Sequence, residues 1–188
     1  MLVRRLAGSL GIALAAGLLL GGMTHLAIIL AMPTLAGNSA FDRHAAALAP
    51  GETRLLAAQQ NETAVPFADP AMAMAVCAFD ISDAPLRVEA PMPEGFGSLS
   101  VHGRDGTVLY SVTDRTAVDG VVTLIVMTRQ QHDEALARGR GDDAGSELRF
   151  VSPRVQGLVL VRALAAYPSG LPEARERAAA MECLSESD

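Results

Sequence analysis

Between residues 6 and 32 only Ser9, Thr24 and His25 are polar, and no residue carries a permanent charge. A hydrocarbon core of about 30 Å takes about 20 helical residues to cross. The run therefore predicts a transmembrane helix over 6–32, and any other structure must be built from the residues that follow. Arg4 and Arg5 flank its start, while the first acidic residue, Asp42, comes well after its end. That asymmetry predicts residues 1–5 in the cytoplasm and everything beyond Pro33 on the opposite side. A cleaved signal peptide also begins with a basic flank. Cutting after Ala13-Leu14-Ala15, however, would leave a mature start of AGLLLGGMTHLAIILAM, and Asn38-Ser39-Ala40 has asparagine where a small residue belongs. An uncleaved anchor is the better reading.

His25 lies within the run. Counted from Arg5 at 1.5 Å per residue, it sits about 30 Å along the helix, level with the outer headgroups. A proton-relay histidine belongs near mid-membrane with a second ionisable partner. Arg4, Arg5 and His25 are accordingly read as residues of the two membrane interfaces. Gly17 and Gly21 have the spacing that lets membrane helices approach closely, a spacing that chance readily produces in a chain rich in alanine and glycine.

All 15 basic residues are arginine. Without lysine there is no Schiff-base nucleophile, no phosphate-cradling lysine and no lysine general base. The formal net charge is −6, and two of the arginines belong to the membrane flank. An acidic domain with few aromatics repels a phosphate backbone, which argues against nucleic-acid binding. The lipid bilayer is the partner that the sequence itself indicates.

Residues 33–64 read as a tether with helical segments, because FDRHAAALAP and ETRLLAAQQ hold good helix formers around the breaker Pro50-Gly51. His44 in this stretch reads as solvated. From residue 65 to 170 short apolar runs recur between turn signals: MAMAVCAF (72–79), LRVEA (86–90), SLSVHG (98–103), TVLYSV (107–112), VVTLIVMT (121–128), LRFVS (148–152) and GLVLVRAL (157–164). Period-two alternation and β-branched residues predict strands, with tight turns at GRDG (103–106) and at Asp119-Gly120. The expected fold is mainly β, an antiparallel β-sandwich or jelly-roll-like domain with a few helices, preceded by one N-terminal transmembrane helix. The helices are expected at 129–139 and at 171–184, the latter inside a C-terminal helix and tail spanning 171–188.

Chemistry is sparsely signalled. Cys77 lies in an apolar strand and Cys183 in the C-terminal segment. With Cys183 read in the C-terminal helix, two readings stand, a disulfide closing a very long loop or a buried reduced Cys77. The histidines at 25, 44, 102 and 132 show no HxH or HExxH spacing, and CxxC is absent, so no metal site and no cofactor is expected. His132 and Asp133 are adjacent on a helix and point apart. No GxSxG elbow occurs; Ser98, Ser100 or Ser111 with His102 and Asp105 makes a triad only on paper. The triplet Arg140-Gly141-Asp142 is too short a match to support an adhesion role. More unusual are Asp80, Asp114, Arg115 and Arg162, charges at strand ends or inside apolar strands. A buried arginine normally needs a carboxylate, so Arg162 or Arg115 is expected to pair with Asp80 or Asp114, or else each points to water. No catalytic residue is identified.

The stretches VPFADPAMAMAVCAFDISDAPLRVEAP, FGSLSVHGRDGTVLYSVTDR, VTLIVMTRQQ and GLVLVRAL, together with THLAIILAMP, resemble a bacterial family, the domain of unknown function 1254 family, in its short membrane-anchored form. The resemblance implies a β-rich periplasmic domain on an inner-membrane anchor. It also implies a partner, a separately encoded membrane-anchored protein of the domain of unknown function 1214 type. It supplies no reaction and no catalytic residues. FGSL stands where longer relatives are more aromatic, which removes support for an aromatic-lined ligand site. Two functions follow as expectations, a structural or interaction subunit without enzymatic activity, and alternatively a small-ligand binder or enzyme using the charged residues of the sheet.

Overall fold

The alternating runs become strands in the computed structural model, which describes residues 2–35, 40–45, 48, 51–56, 69–139 and 147–186. The Arg140-Gly141-Asp142 triplet, residues 57–64 of the tether, Asn38-Ser39 and Pro50 lie outside the described residues. The chain divides into two units, residues 1–37 and 38–188. The first is the helix α1, Leu2–Leu35. Its stretch Leu10–Met32 is long and apolar enough to cross a membrane, and none of its residues is buried. The helix continues through Pro33 to Leu35 rather than stopping at the proline. The proline forfeits one N–H bond of the ladder, and only two residues of helix follow it.

The second unit holds two sheets. One is five-stranded, in the order β1 (Thr53–Leu56), β2 (Met72–Asp80), β8 (Gln156–Leu164), β4 (Gly97–Gly103) and β5 (Val108–Thr113), all antiparallel. The other is four-stranded, in the order β7 (Glu147–Val151), β6 (Val121–Met127), β3 (Leu86–Pro91) and β9 (Glu182–Ser185). Inward residues of both sheets, among them Ala75, Phe79, Val88, Leu99, Leu124 and Val159, form one buried core. The architecture is the expected mainly β sandwich. One pair departs from the antiparallel pattern, because β6 and β7 run parallel. Helix α3 (Arg129–Ala137) separates them and supplies the length that a parallel crossover needs. Its start is closed by a capping box between Thr128 and Gln131.

Two segments differ from expectation. Thr53–Leu56, read as part of the helical tether, is an edge strand on β2, with Leu56 opposite Met74. Leu56 and Leu48 join Val76 and Leu158 in a second apolar cluster on the outer face of the larger sheet, flanked by Phe41 and Ala45 of α2 (Ala40–Ala45). Burial on that face outweighs the helix propensity of a short stretch. At the other end, α4 covers only Leu171–Ala179. Residues 182–185, read as helix and tail, instead pair with β3. Ala174, Ala178 and Met181 carry α4 into the core, and Cys183, at the next inward position, is bonded to Cys77 of β2. The disulfide reading is the one the fold adopts, and the bond joins the two sheets.

Turns follow local chemistry. Asp119 and Gly120 have φ of 52° and 78°, and Gly106 has φ of 80°. These left-handed conformations are open to glycine and tolerated by aspartate.

Candidate functional site

The four charged residues singled out in the sequence do not converge. Asp80 ends β2, opposite Gln156, whereas Arg162 lies opposite Met74. Six residues of strand separate the two positions, about 20 Å at ~3.3 Å per residue. The Asp80 carboxylate accepts from Gln156 Nε2 at 2.7 Å, from Ser82 Oγ at 2.6 Å and from the Ser82 N–H at 2.9 Å. These bonds, that of Gln156 foremost, hold its pKa below the ordinary carboxylate value. Gln156 in turn accepts from Arg104, which meets Asp42 at 3.7 Å and lies over the Phe41 ring at 4.8 Å. Asp80 thus belongs to a polar ladder that runs between strand ends and α2. Asp114 accepts a long 3.4 Å bond from the Gly97 N–H, and Arg115 is exposed on the same short turn. The expected ion pair of Arg162 or Arg115 with Asp80 or Asp114 is replaced by these separate arrangements. The strand register holds Arg162 and Asp80 apart, and Asp114 is directed at backbone.

Arg162 instead joins a polar group on the outer face of the larger sheet. Its Nη1 donates to Ser100 Oγ at 3.2 Å. Ser100 Oγ is 2.9 Å from His102 Nε2, and His102 Nδ1 is 3.5 Å from the Gly106 carbonyl oxygen. With the proton on Nδ1 directed to Gly106, the Ser100 hydroxyl donates to Nε2. Burial, opposed by the bond to Gly106 and reinforced by the Arg162 charge, lowers the His102 pKa below its ordinary 6.5. The pair resembles half of a hydrolytic triad, but Asp105 caps the Thr107 N–H at 3.1 Å rather than orienting His102. Ser100 is also only 3% exposed. A nucleophile so enclosed has no route to substrate. The spacing Ser98, Ser100, His102 is the sequence signal for this group, since alternate strand residues share a face. Arg162 could be added only from the pairing of β4 with β8.

A cleft of about 730 Å³ lies on the outer side of the smaller sheet beside α3. Its lining includes Arg87, Gln131, Glu134, Arg138, Glu147 and Glu186. Arg87 donates to Glu147 at 2.6 Å and to Glu89 at 2.8 Å, with Glu186 at 3.5 Å. The carboxylates raise its pKa further. Arg138 pairs with Glu134 one helical turn away. Opposite charges here largely satisfy one another, and the arrangement ties β3 to β7 and to the C-terminal segment. Sequence reasoning missed this network, because Arg87 and Glu147 meet only across the intervening strand β6. No group of three or more metal-ligating side chains occurs among the described residues.

No family model and no curated protein matches the chain. Among solved structures, the chain is similar to the VPA0106 protein from Vibrio parahaemolyticus, with a TM-score of 0.51 at 14% identity, over 65% of this chain and 29% of that one. It also matches an uncharacterized protein from Burkholderia cenocepacia, with a TM-score of 0.38 at 19% identity, over 54% of this chain and 29% of that one. The chain thus spans under a third of the length of either structure. The first likeness shows a shared fold.

Proposed function

We propose that this chain is a bacterial inner-membrane protein with its N-terminus in the cytoplasm, whose periplasmic β domain serves as an interaction subunit. The observation that carries the reading is Leu10–Met32, an apolar helix none of whose residues is buried. Such a surface is stable in lipid and unstable in water. Arg4 and Arg5 on its N-terminal side support the orientation. The Cys77–Cys183 bond supports export, because disulfides persist in oxidising compartments.

The proposed partner is a second anchored β domain, of the domain of unknown function 1214 type, following the resemblance to the short form of the 1254 family. Two observations favour a subunit over an enzyme. The charged residues of the cleft are engaged with one another, and the Ser100–His102 pair is enclosed. The fold also recurs in a chain of which this one spans 29%, which suits a domain that works beside another. Co-expression with a separately encoded, membrane-anchored protein of that type tests the reading. A single complex eluting together in mild detergent is expected, and independent elution of the two proteins would overturn it.

A further inference from the structure

The outward N–H and C=O groups of an edge strand pair with another chain unless charges, proline or a bulge protect them. The larger sheet ends at β1 and β5, and the smaller at β7 and β9. Three of these edges are charged: β1 carries Arg54, β7 carries Glu147 and Arg149, and β9 carries Glu182. β5, with the sequence VLYSVT, has neither a charge nor a proline. It pairs with β4 on one side, and among the described residues nothing pairs with it on the other. Val108 is 56% exposed, and Ser111 is exposed as well. A register shift between Val101 and His102 distorts only the start of the strand, which leaves Tyr110 to Thr113 as a regular edge.

The core is open along the same side. Tyr110 and Val112 of β5, and Leu148 and Phe150 of β7, pack against the core yet are only partly buried. The Tyr110 and Phe150 rings stack at 4.9 Å, so the edge strands of the two sheets lie side by side. A strand laid along β5 would extend the larger sheet and cover part of this apolar opening.

We infer that β5 is a homodimer interface, at which two copies of the chain pair their β5 strands antiparallel about a two-fold axis. Charge favours a second copy as the occupant. The chain has a net charge of −6, so two copies repel one another except where neutral faces meet. Two-fold pairing sets the start of one β5 beside the end of the other. Arg104 and Asp105 precede the strand, and Asp114 and Arg115 follow it. Each end is therefore neutral in sum and presents both signs to the other. The remaining described edges would instead bring a charged residue against β5. Confinement by the proposed anchor raises the effective concentration of one copy for another. The inference does not rest on a partner of the 1214 type.

Sedimentation equilibrium of the full chain in mild detergent, over a range of protein concentrations, tests it. A monomer–dimer equilibrium is expected for the wild type. Ser111→Arg places like charges directly opposite or diagonal to one another across the pair, and should raise the dimer dissociation constant about fivefold or more. Leu184→Arg, at an exposed position of β9, should leave it unchanged. A wild type that stays monomeric at every concentration would overturn the inference. So would a dimer equally tight in Ser111→Arg, since another surface, such as the anchor helix, would then hold it. Should circular dichroism show Ser111→Arg unfolded, Val108→Arg decides by the same criterion.

Discussion

Replacing Cys77 and Cys183 together by alanine removes the bond between β2 and β9, and its effect can be worked from the fold. The two residues are 106 apart in sequence. Closing a loop of that length in the unfolded chain corresponds to about 5 kcal/mol at 25 °C in the chain-entropy model, and removing native disulfides costs about 2–5 kcal/mol. Both residues are buried, at 0% and 2% exposure, so alanine also leaves small voids. A loss of about 3–5 kcal/mol is therefore expected, a large part of the stability of an ordinary domain. The assay is urea unfolding followed by far-ultraviolet circular dichroism in mild detergent, comparing oxidised wild type with the double variant. The unfolded variant is freed to expand, so its m-value should rise as its midpoint falls. Amide exchange should quicken first in β9, which holds to the sheet through β3 alone. A loss below about 1 kcal/mol with an unchanged m-value would refute the claim that this bond constrains the domain.

Three further outcomes follow from local geometry. Gly157 of β8 faces Phe79, and an added Cβ would overlap the His102 carbonyl oxygen and lie 2.8 Å from Phe79 Cζ. Gly157→Ala should therefore cost about 3 kcal/mol, read as a lowered melting temperature, and a wild-type value would contradict the packing described. Arg87→Ala strands Glu89, Glu147 and Glu186 together. About 1–2 kcal/mol of stability should be lost, less at high salt because the groups are partly exposed; equal urea midpoints at low salt would contradict this. His102 and His44 both have folded-state pKa values below 6.5, chiefly through burial. Below about pH 6.5 the unfolded chain takes up protons that the folded chain resists, so stability falls as pH drops from about 7 toward the lowered values. His102→Gln should flatten part of that slope, and an identical pH profile would count against the assignment. The lowered pKa of Asp80 acts in a separate, more acidic window, where its contribution is lost as pH falls below 3.8.

The long apolar helix and the central strands were legible because each carries its own signal. Met72–Asp80 and Gln156–Leu164 alternate inward and outward residues over nine positions, and Leu10–Met32 needs no partner to be recognised. The edge strands were not legible. Thr53–Leu56 and Glu182–Ser185 are four residues each, in stretches rich in helix formers, and they extend because β2 and β3 offer them ladder partners. The parallel turn of the chain at β7 was hidden for a similar reason, since direction depends on the crossover rather than on the strand's residues. The candidate site was legible in part. Arg162 stood out as a charge within an apolar strand, and Ser98, Ser100 and His102 shared a period. Its expected carboxylate partners failed because strand register, invisible before pairing is known, holds Asp80 some six residues away.

The central claim is that the β domain works outside the cytoplasm on an uncleaved anchor. Fusing alkaline phosphatase to the C-terminus in bacterial cells tests it most directly, because that enzyme matures only where disulfides form. The account predicts full phosphatase activity in the membrane fraction, on a chain that retains Arg4 and Arg5. An inactive fusion, or an active one that is soluble and shortened at its N-terminus, would contradict it.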